Sequence, residues 1–126
     1  VSEMIYRFNR DLPYMLVWTA QERRHGGGDD DPGPVQFGPN VTRMALDALR
    51  PSVTIMGRLG VESRGGGKQQ RQLRVGPPDG DYIVKARARP GKILPEVIRD
   101  PNLTGIMRYL FADGPAPKAA KERSIF

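Results

Sequence analysis

Between Val53 and Arg89 the chain alternates apolar and polar residues over three short runs separated by turn residues. Because successive side chains of a strand point to opposite faces of a sheet, this period of two predicts three β-strands. The separators are Arg64–Lys68, with three consecutive glycines, and Gly76–Gly80, with two prolines. Such residues are typical of hairpin turns and tight connections. The segment therefore predicts neighbouring strands of an antiparallel sheet.

The alternation also sorts the side chains onto two faces. The polar face of the three strands would carry cationic, amide and hydroxyl side chains: Thr54, Arg58, Gln70, Gln72, Arg74, Lys85, Arg87 and Arg89. The apolar face would carry Val53, Ile55, Gly57, Leu59, Val61, Leu73, Val75, Tyr82, Val84, Ala86 and Ala88. In the third run, Ile83 is the one apolar exception on the polar side. A slip of one residue in register would exchange the two faces.

The charge of the chain suggests what the polar face binds. Lysine and arginine total 20 against 14 acidic residues, a formal net charge of +6, which is typical of proteins with a polyanionic partner. Cationic side chains suit phosphates, and glutamine and threonine suit the base edges that single-stranded loops expose. The face therefore favours RNA over the alternative of an ordinary solvated surface. It lacks aromatic residues, so we expect no recognition by stacked aromatic platforms.

The residues that catalysis requires are scarce. The chain has no cysteine, and its one histidine, His25, lies beside a glycine tract, which excludes thiolate chemistry and histidine clusters. Gly65–Lys68 is followed by glutamine, so it does not match a nucleotide-binding P-loop. Asp29–Asp31 would supply three carboxylates, whereas calcium takes about six to eight oxygen ligands. We expect a protein that is not an enzyme and holds no metal and no cofactor.

The length of 126 residues predicts one domain. Its predicted parts are an N-terminal arm over 1–12, an antiparallel sheet over 13–90, a helical region over 91–114 and a tail over 115–126. Tyr14–Thr19 is predicted as the first strand, and His25–Pro34 as a hairpin loop or a mobile connection. Val41–Leu49 is compatible with a helix beginning at Asn40 or with another strand.

A stripe of apolar residues at helical spacing lies near the C-terminus. It consists of Leu103, Ile106, Met107 and Leu110. Asp100–Pro101 supplies a capping acid and a proline suited to the first turn. The stripe predicts one or two helices packed on the apolar side of the sheet, and hence an α+β fold. No stretch approaches the about 20 apolar residues of a membrane span, and no signal peptide is evident, so we expect a soluble, uncleaved protein.

Several strings follow one another in a recognisable order: a strand, a glycine-rich hairpin turn, a Gly-Pro-Asn step, two long strands with a basic tip, and C-terminal helices. They are Tyr14–Trp18, Gly26–Asp29, Val35–Asn40, Val53–Arg58, Lys68–Pro77 and Met107–Gly114. This layout covers most of the chain and resembles the coat proteins of single-stranded RNA bacteriophages, the levivirus family.

The resemblance implies a homodimer in which the sheets of two subunits join and the C-terminal helices of each pack across its partner. Such dimers form an icosahedral shell, the virion, which assembles in the cytoplasm of a bacterial host. The inner face of the sheet binds genomic single-stranded RNA, including a stem-loop at the replicase start whose binding represses translation of the replicase. By position, the family implies an inward-facing role for Thr54, Arg58, Gln70, Gln72, Arg74, Lys85 and Arg87.

Physical reasoning supports dimerisation, because a small domain with an open sheet buries little surface and leaves strand edges unpaired. Two alternatives stay open at this point. A cellular RNA-binding or ribosome-associated module would share the basic face without assembling into a shell. A metal-dependent enzyme would instead use Asp29–Asp31.

Overall fold

A computed structural model of the chain describes residues 16–63, 65–78, 80–88 and 90–120. The strands in these residues are β1 (Glu22–His25), β2 (Gln36–Pro39), β3 (Ile55–Met56), β4 (Arg58–Ser63), β5 (Gln69–Arg74), β6 (Lys85–Ala86) and β7 (Val97–Arg99). The helices are α1 (Arg43–Ser52) and α2 (Leu103–Phe111). The strands pair antiparallel in each sheet. The predicted α+β class is therefore confirmed.

β1 and β2 form an antiparallel hairpin at the start of the described chain. Its connection is a hairpin loop, one of the two possibilities left open for His25–Pro34. The Gly27 N–H donates to the Gly33 carbonyl over 3.0 Å, and the Gly26 N–H donates to the Asp31 carboxylate over 2.9 Å. At Gly26, φ is +83° and an added Cβ would lie 2.0 Å from a backbone oxygen, so only glycine fits there.

The strand predicted over Tyr14–Thr19 is wrong where the structure describes it. Leu16–Thr19 has no regular structure, while the two residues before it and the predicted arm over 1–12 lie outside the described residues. The strand does not extend back to these residues, because its partner β2 ends at Pro39. The Asn40 N–H still donates to the Gln21 carbonyl, after which the chain turns into α1. No continuation of β2 therefore runs beside Leu16–Thr19.

The ambiguous segment Val41–Leu49 is helical. The helix begins at Arg43 rather than Asn40, because the Thr42 hydroxyl caps it by accepting the Ala45 N–H over 3.2 Å. Three of its apolar residues, spaced for one helix face, are buried: Ala45, Leu46 and Leu49. The segment predicted as sheet over 13–90 thus contains a helix between its second and third strands.

The two long strands of the predicted sheet are β4 and β5, which pair from Arg58↔Arg74 to Ser63↔Gln69. The third predicted strand is not their neighbour. It is reduced to the two residues of β6, which pair with β3 in a separate sheet. The second neighbour of β5 is β7, which lies within 91–114, the segment predicted as helical. The expectation of three adjacent strands over 53–89 is therefore wrong.

Hydrogen bonds after β5 explain this difference. The Val75 N–H donates to the Glu96 carbonyl over 2.8 Å, so the chain remains beside the β7 segment. Pro77 follows, and proline has no N–H with which to continue a ladder. The run after this turn then bonds to β2, because the Ile83 N–H donates to the Phe37 carbonyl over 2.8 Å. Ile83 and Val84 are both buried, so the run does not keep the predicted alternation.

Two clusters of buried apolar residues lie on opposite sides of β3. One is buried under α2 and contains Val75, Ile98, Ile106 and Leu110, with Ile55 and Leu73 packed against it. The other joins α1 to the strand and contains Ala45 and Leu49, with Val41, Val53 and Met56. Because Ile55 and Met56 are consecutive, their side chains point to opposite sides of the strand. The two helices therefore cover opposite sides of β3.

The helix predicted near the C-terminus is α2, with Ile106 and Leu110 fully buried. Its cap differs from the prediction. The Asn102 side chain accepts the Gly105 N–H over 3.0 Å, whereas the Asp100 N–H donates to the Arg71 carbonyl, so Asp100 still belongs to the sheet. The described part of the tail also joins this sheet, through a bridge between Ala119 and Ile98.

Candidate nucleic-acid interface

The pairing of β4 with β5 places four of the predicted site residues on one face of the sheet. Directly opposed residues of an antiparallel pair project to the same side. Arg58 lies opposite Arg74, and Gln72 and Gln70 lie opposite Gly60 and Glu62. We call Arg58, Gln70, Gln72 and Arg74 the β4–β5 polar face. It combines cationic donors with amide donors and acceptors.

β7 extends this face with a cation that the sequence analysis missed. Arg99 lies opposite Gln72 on the far side of β5, so its side chain projects to the polar side. It was missed because the residues around it were assigned to the helical region. The β-branched pair Val97-Ile98 was the available signal for a strand there.

An aromatic ring stands beside the two arginines, which contradicts the expectation of a face without aromatic residues. The guanidinium carbons of Arg58 and Arg74 lie 4.6 Å and 5.6 Å from the centroid of the Tyr82 ring, within the range of cation–π attraction. Phe37 lies beside it, with ring centroids 6.3 Å apart. The predicted alternation placed Tyr82 on the apolar side. That placement is wrong because its segment bridges to Phe37 of β2 and not to β5.

Arg58 also contacts a carboxylate from the N-terminal hairpin. Its Nε donates to Glu22 Oε2 over 2.5 Å, and both side chains are about two-fifths exposed. The hydrogen bond to Glu22 raises the pKa of Arg58 above its usual value, against the smaller opposing effect of burial. The guanidinium is therefore held between a carboxylate and an aromatic ring.

The glutamines of the face belong to a polar network. The Gln72 amide nitrogen donates to the Glu62 carboxylate over 2.5 Å and to the Gln70 amide oxygen over 3.4 Å. A carboxylate and two amides in a row can accept and donate hydrogen bonds to base edges, as single-stranded RNA recognition requires.

Three other predicted residues lie outside the pair of β4 and β5. Lys85 and Arg87 belong to the β3–β6 region, where the Arg87 N–H donates to the Thr54 carbonyl over 2.9 Å. The Lys85 Nζ donates to the Arg50 carbonyl in the last turn of α1. Burial, reinforced by Arg87 and Arg50, lowers the pKa of Lys85. Thr54, Lys85 and Arg87 therefore do not join the arginines of β4 and β5, and Arg89 lies outside the described residues.

Asp31, one of the three aspartates considered for metal binding, and the single histidine both have other partners. The Asp31 carboxylate closes its own loop through Gly26 and lies 3.8 Å from the Arg43 guanidinium. His25 is buried, with Nε2 2.8 Å from the Pro39 carbonyl. Within the described ranges, no group of three or more histidine, cysteine, aspartate or glutamate side chains could hold a metal ion. No helix there is long and apolar enough to cross a membrane.

Comparison with known proteins returned no match: no family model, no curated protein and no solved structure is detectably similar to this chain.

Proposed function

We propose that this chain is a non-enzymatic coat protein of the kind found in single-stranded RNA bacteriophages, which pairs into dimers, assembles into a shell and binds RNA on the β4–β5 polar face. The observation that carries the proposal is the convergence of Arg58, Gln70, Gln72 and Arg74 on one side of two paired strands. Arginines supply phosphate contacts there, and the amides supply base-edge contacts.

The opposite side and the edge of β4 support self-assembly. Leu59 and Val61 share the side that faces away from Arg58, and they are 66% and 61% exposed. In the described residues β4 is the outermost strand of its sheet, with β5 as its one strand neighbour. An exposed strand edge with exposed apolar side chains favours pairing with a second copy. The proposed dimer would cover both.

The experiment that tests assembly is electron microscopy of the chain expressed alone in bacteria, with the ratio of absorbance at about 260 and 280 nm measured on the purified protein. Closed shells that contain nucleic acid are expected. A monomer of 14.0 kDa without RNA would reject the coat function, and a monomer that binds RNA would leave a cellular RNA-binding module in its place.

The RNA-binding face has a matched pair of variants on the same strand. Arg74 projects to the polar side of β5, and Arg71, opposite Val61, projects to the other side. Arg74→Ala should reduce the slope of log affinity against log salt by about one unit, because one phosphate contact is lost. Arg71→Ala should leave the slope unchanged. If fluorescence anisotropy titrations gave equal slopes for the two variants, the RNA site would have to lie on another surface.

A further inference from the structure

Among the described residues, Arg58 and Arg74 share one aromatic ring and have one carboxylate partner between them. Both guanidinium groups lie within 6 Å of the Tyr82 centroid. Arg58 forms its ion pair with Glu22 across 36 residues of sequence, whereas Arg74 donates only to the Gly76 carbonyl, over 3.3 Å, among its partners in the described chain. The cluster therefore retains an excess of positive charge at the point where β1 meets β4.

The Glu22 carboxylate occupies the place that a phosphate would take. Carboxylate and phosphate oxygens accept the same guanidinium donors, and arginine binds both with similar geometry. An ion pair between half-exposed side chains contributes little to stability and is screened by salt. Because Tyr82 holds the guanidinium from another side, Arg58 remains in position when its oxygen partner is exchanged.

We propose that Arg58 and Arg74 over the Tyr82 ring form a binding site for an RNA phosphodiester, and that the Glu22 carboxylate is its internal occupant, which RNA displaces on binding. This site rests on the proposed RNA-binding function and deepens it. The Glu22 carboxylate thereby sets a minimum binding strength for the site. A short or weakly bound polyanion does not displace it, whereas RNA that also contacts the neighbouring amides does.

The test is a double-mutant cycle with a fluorescently labelled single-stranded RNA in anisotropy titrations at fixed salt. Glu22→Gln keeps the shape of the side chain and removes the competing charge, so it should tighten binding about two- to five-fold. In an Arg58→Ala background the same substitution should have no effect, because the competition requires both groups.

Asp47→Asn is the matched control. Asp47 forms an exposed ion pair with Arg43 on α1, at 3.3 Å, so its replacement removes the same charge from an element that contributes no residue to the polar face. RNA affinity should stay within the scatter of the wild type. If Asp47→Asn tightened RNA binding as much as Glu22→Gln does, the effect would come from net charge. The proposal that the Glu22 carboxylate occupies the phosphate site would then be rejected.

Two further outcomes distinguish failure of the displaced-carboxylate proposal from failure of the proposed RNA binding. Unchanged affinity of Glu22→Gln, or a gain that persists without Arg58, would reject the displaced carboxylate while RNA binding by the wild type stands. A wild-type chain that binds no RNA would reject both.

Discussion

Lys85 shows how one contact removes a side chain from a predicted surface. Alternation grouped it with the arginines of the polar face, but its Nζ donates to the Arg50 carbonyl instead. The last carbonyls of a helix have no intrahelical partner and carry partial negative charge, so a lysine is favourable there. Its charge is partly withdrawn from water as a result, and the pKa of Lys85 falls below its ordinary value of 10.5.

The lowered pKa predicts a pH dependence of stability. The unfolded chain keeps the Lys85 proton up to about pH 10.5, and the folded chain releases it at lower pH. Between the two pKa values the unfolded state binds more protons, so the Lys85 contribution to the free energy of unfolding rises with pH. Lys85→Met lacks this contribution.

Urea unfolding of both proteins at several pH values from about 8 to 10.5 measures the difference. The wild type should gain stability relative to Lys85→Met as the pH increases. Parallel curves would contradict the depressed pKa. Other groups that titrate in this range cancel in the comparison, because both proteins contain them.

Among the elements, the strand predicted from Val53 to Glu62 is divided at Gly57 into β3 and β4. An added Cβ at Gly57 would lie 2.7 Å from the Leu73 side chain and 3.2 Å from the Arg74 carbonyl. A side chain at this position would therefore require Leu73 to move and would crowd the Arg74 carbonyl. The break lets Ile55 and Met56 join the two core clusters while β4 carries the polar face.

α2 depends on its cap, because a helix of nine residues is marginal without tertiary support. Asn102→Ala removes the acceptor of the Gly105 N–H and should lower the free energy of unfolding by about 1 kcal/mol. Asn102→Asp keeps an acceptor and should stay close to the wild type in urea unfolding. If both variants lose the same stability, the cap is not the cause.

The whole molecule leaves apolar surface exposed on the side of β4 away from the arginines. Leu59 and Val61 are more than half exposed there, although Leu73 and Ile98 on the same side of the sheet pack against the cluster buried under α2. Within one chain this surface stabilises nothing. It acquires a role in the proposed dimer, where a second subunit would remove it from water at about 25 cal/mol per Å² of apolar area.

Replacing both residues, Leu59→Ser and Val61→Ser, should therefore separate folding from assembly. The monomer loses little, since neither side chain is buried, but assembled particles should disappear from electron micrographs and from sedimentation profiles. Met44→Ser is the control, because Met44 is 74% exposed on α1. Particles of wild-type size from the double variant would exclude this surface from the interface.

The pattern of residues along the chain was sufficient to predict part of this structure. The hairpin of β4 and β5, the shared side of Arg58, Gln70, Gln72 and Arg74, and the helical stripe of α2 all follow from residue spacing within each element and from the short turn that joins the two strands. Spacing within an element decides which side chains share a face, whatever the rest of the chain does.

The remaining features needed the tertiary structure. Tyr82 stands beside Arg58 because its segment pairs with β2, Glu22 reaches Arg58 from the first hairpin, and the neighbour of β5 is β7. Each depends on which distant strand supplies the hydrogen-bond partner. Backbone donors and acceptors are the same for nearly every residue, so the choice between possible partners depends on how the whole core packs.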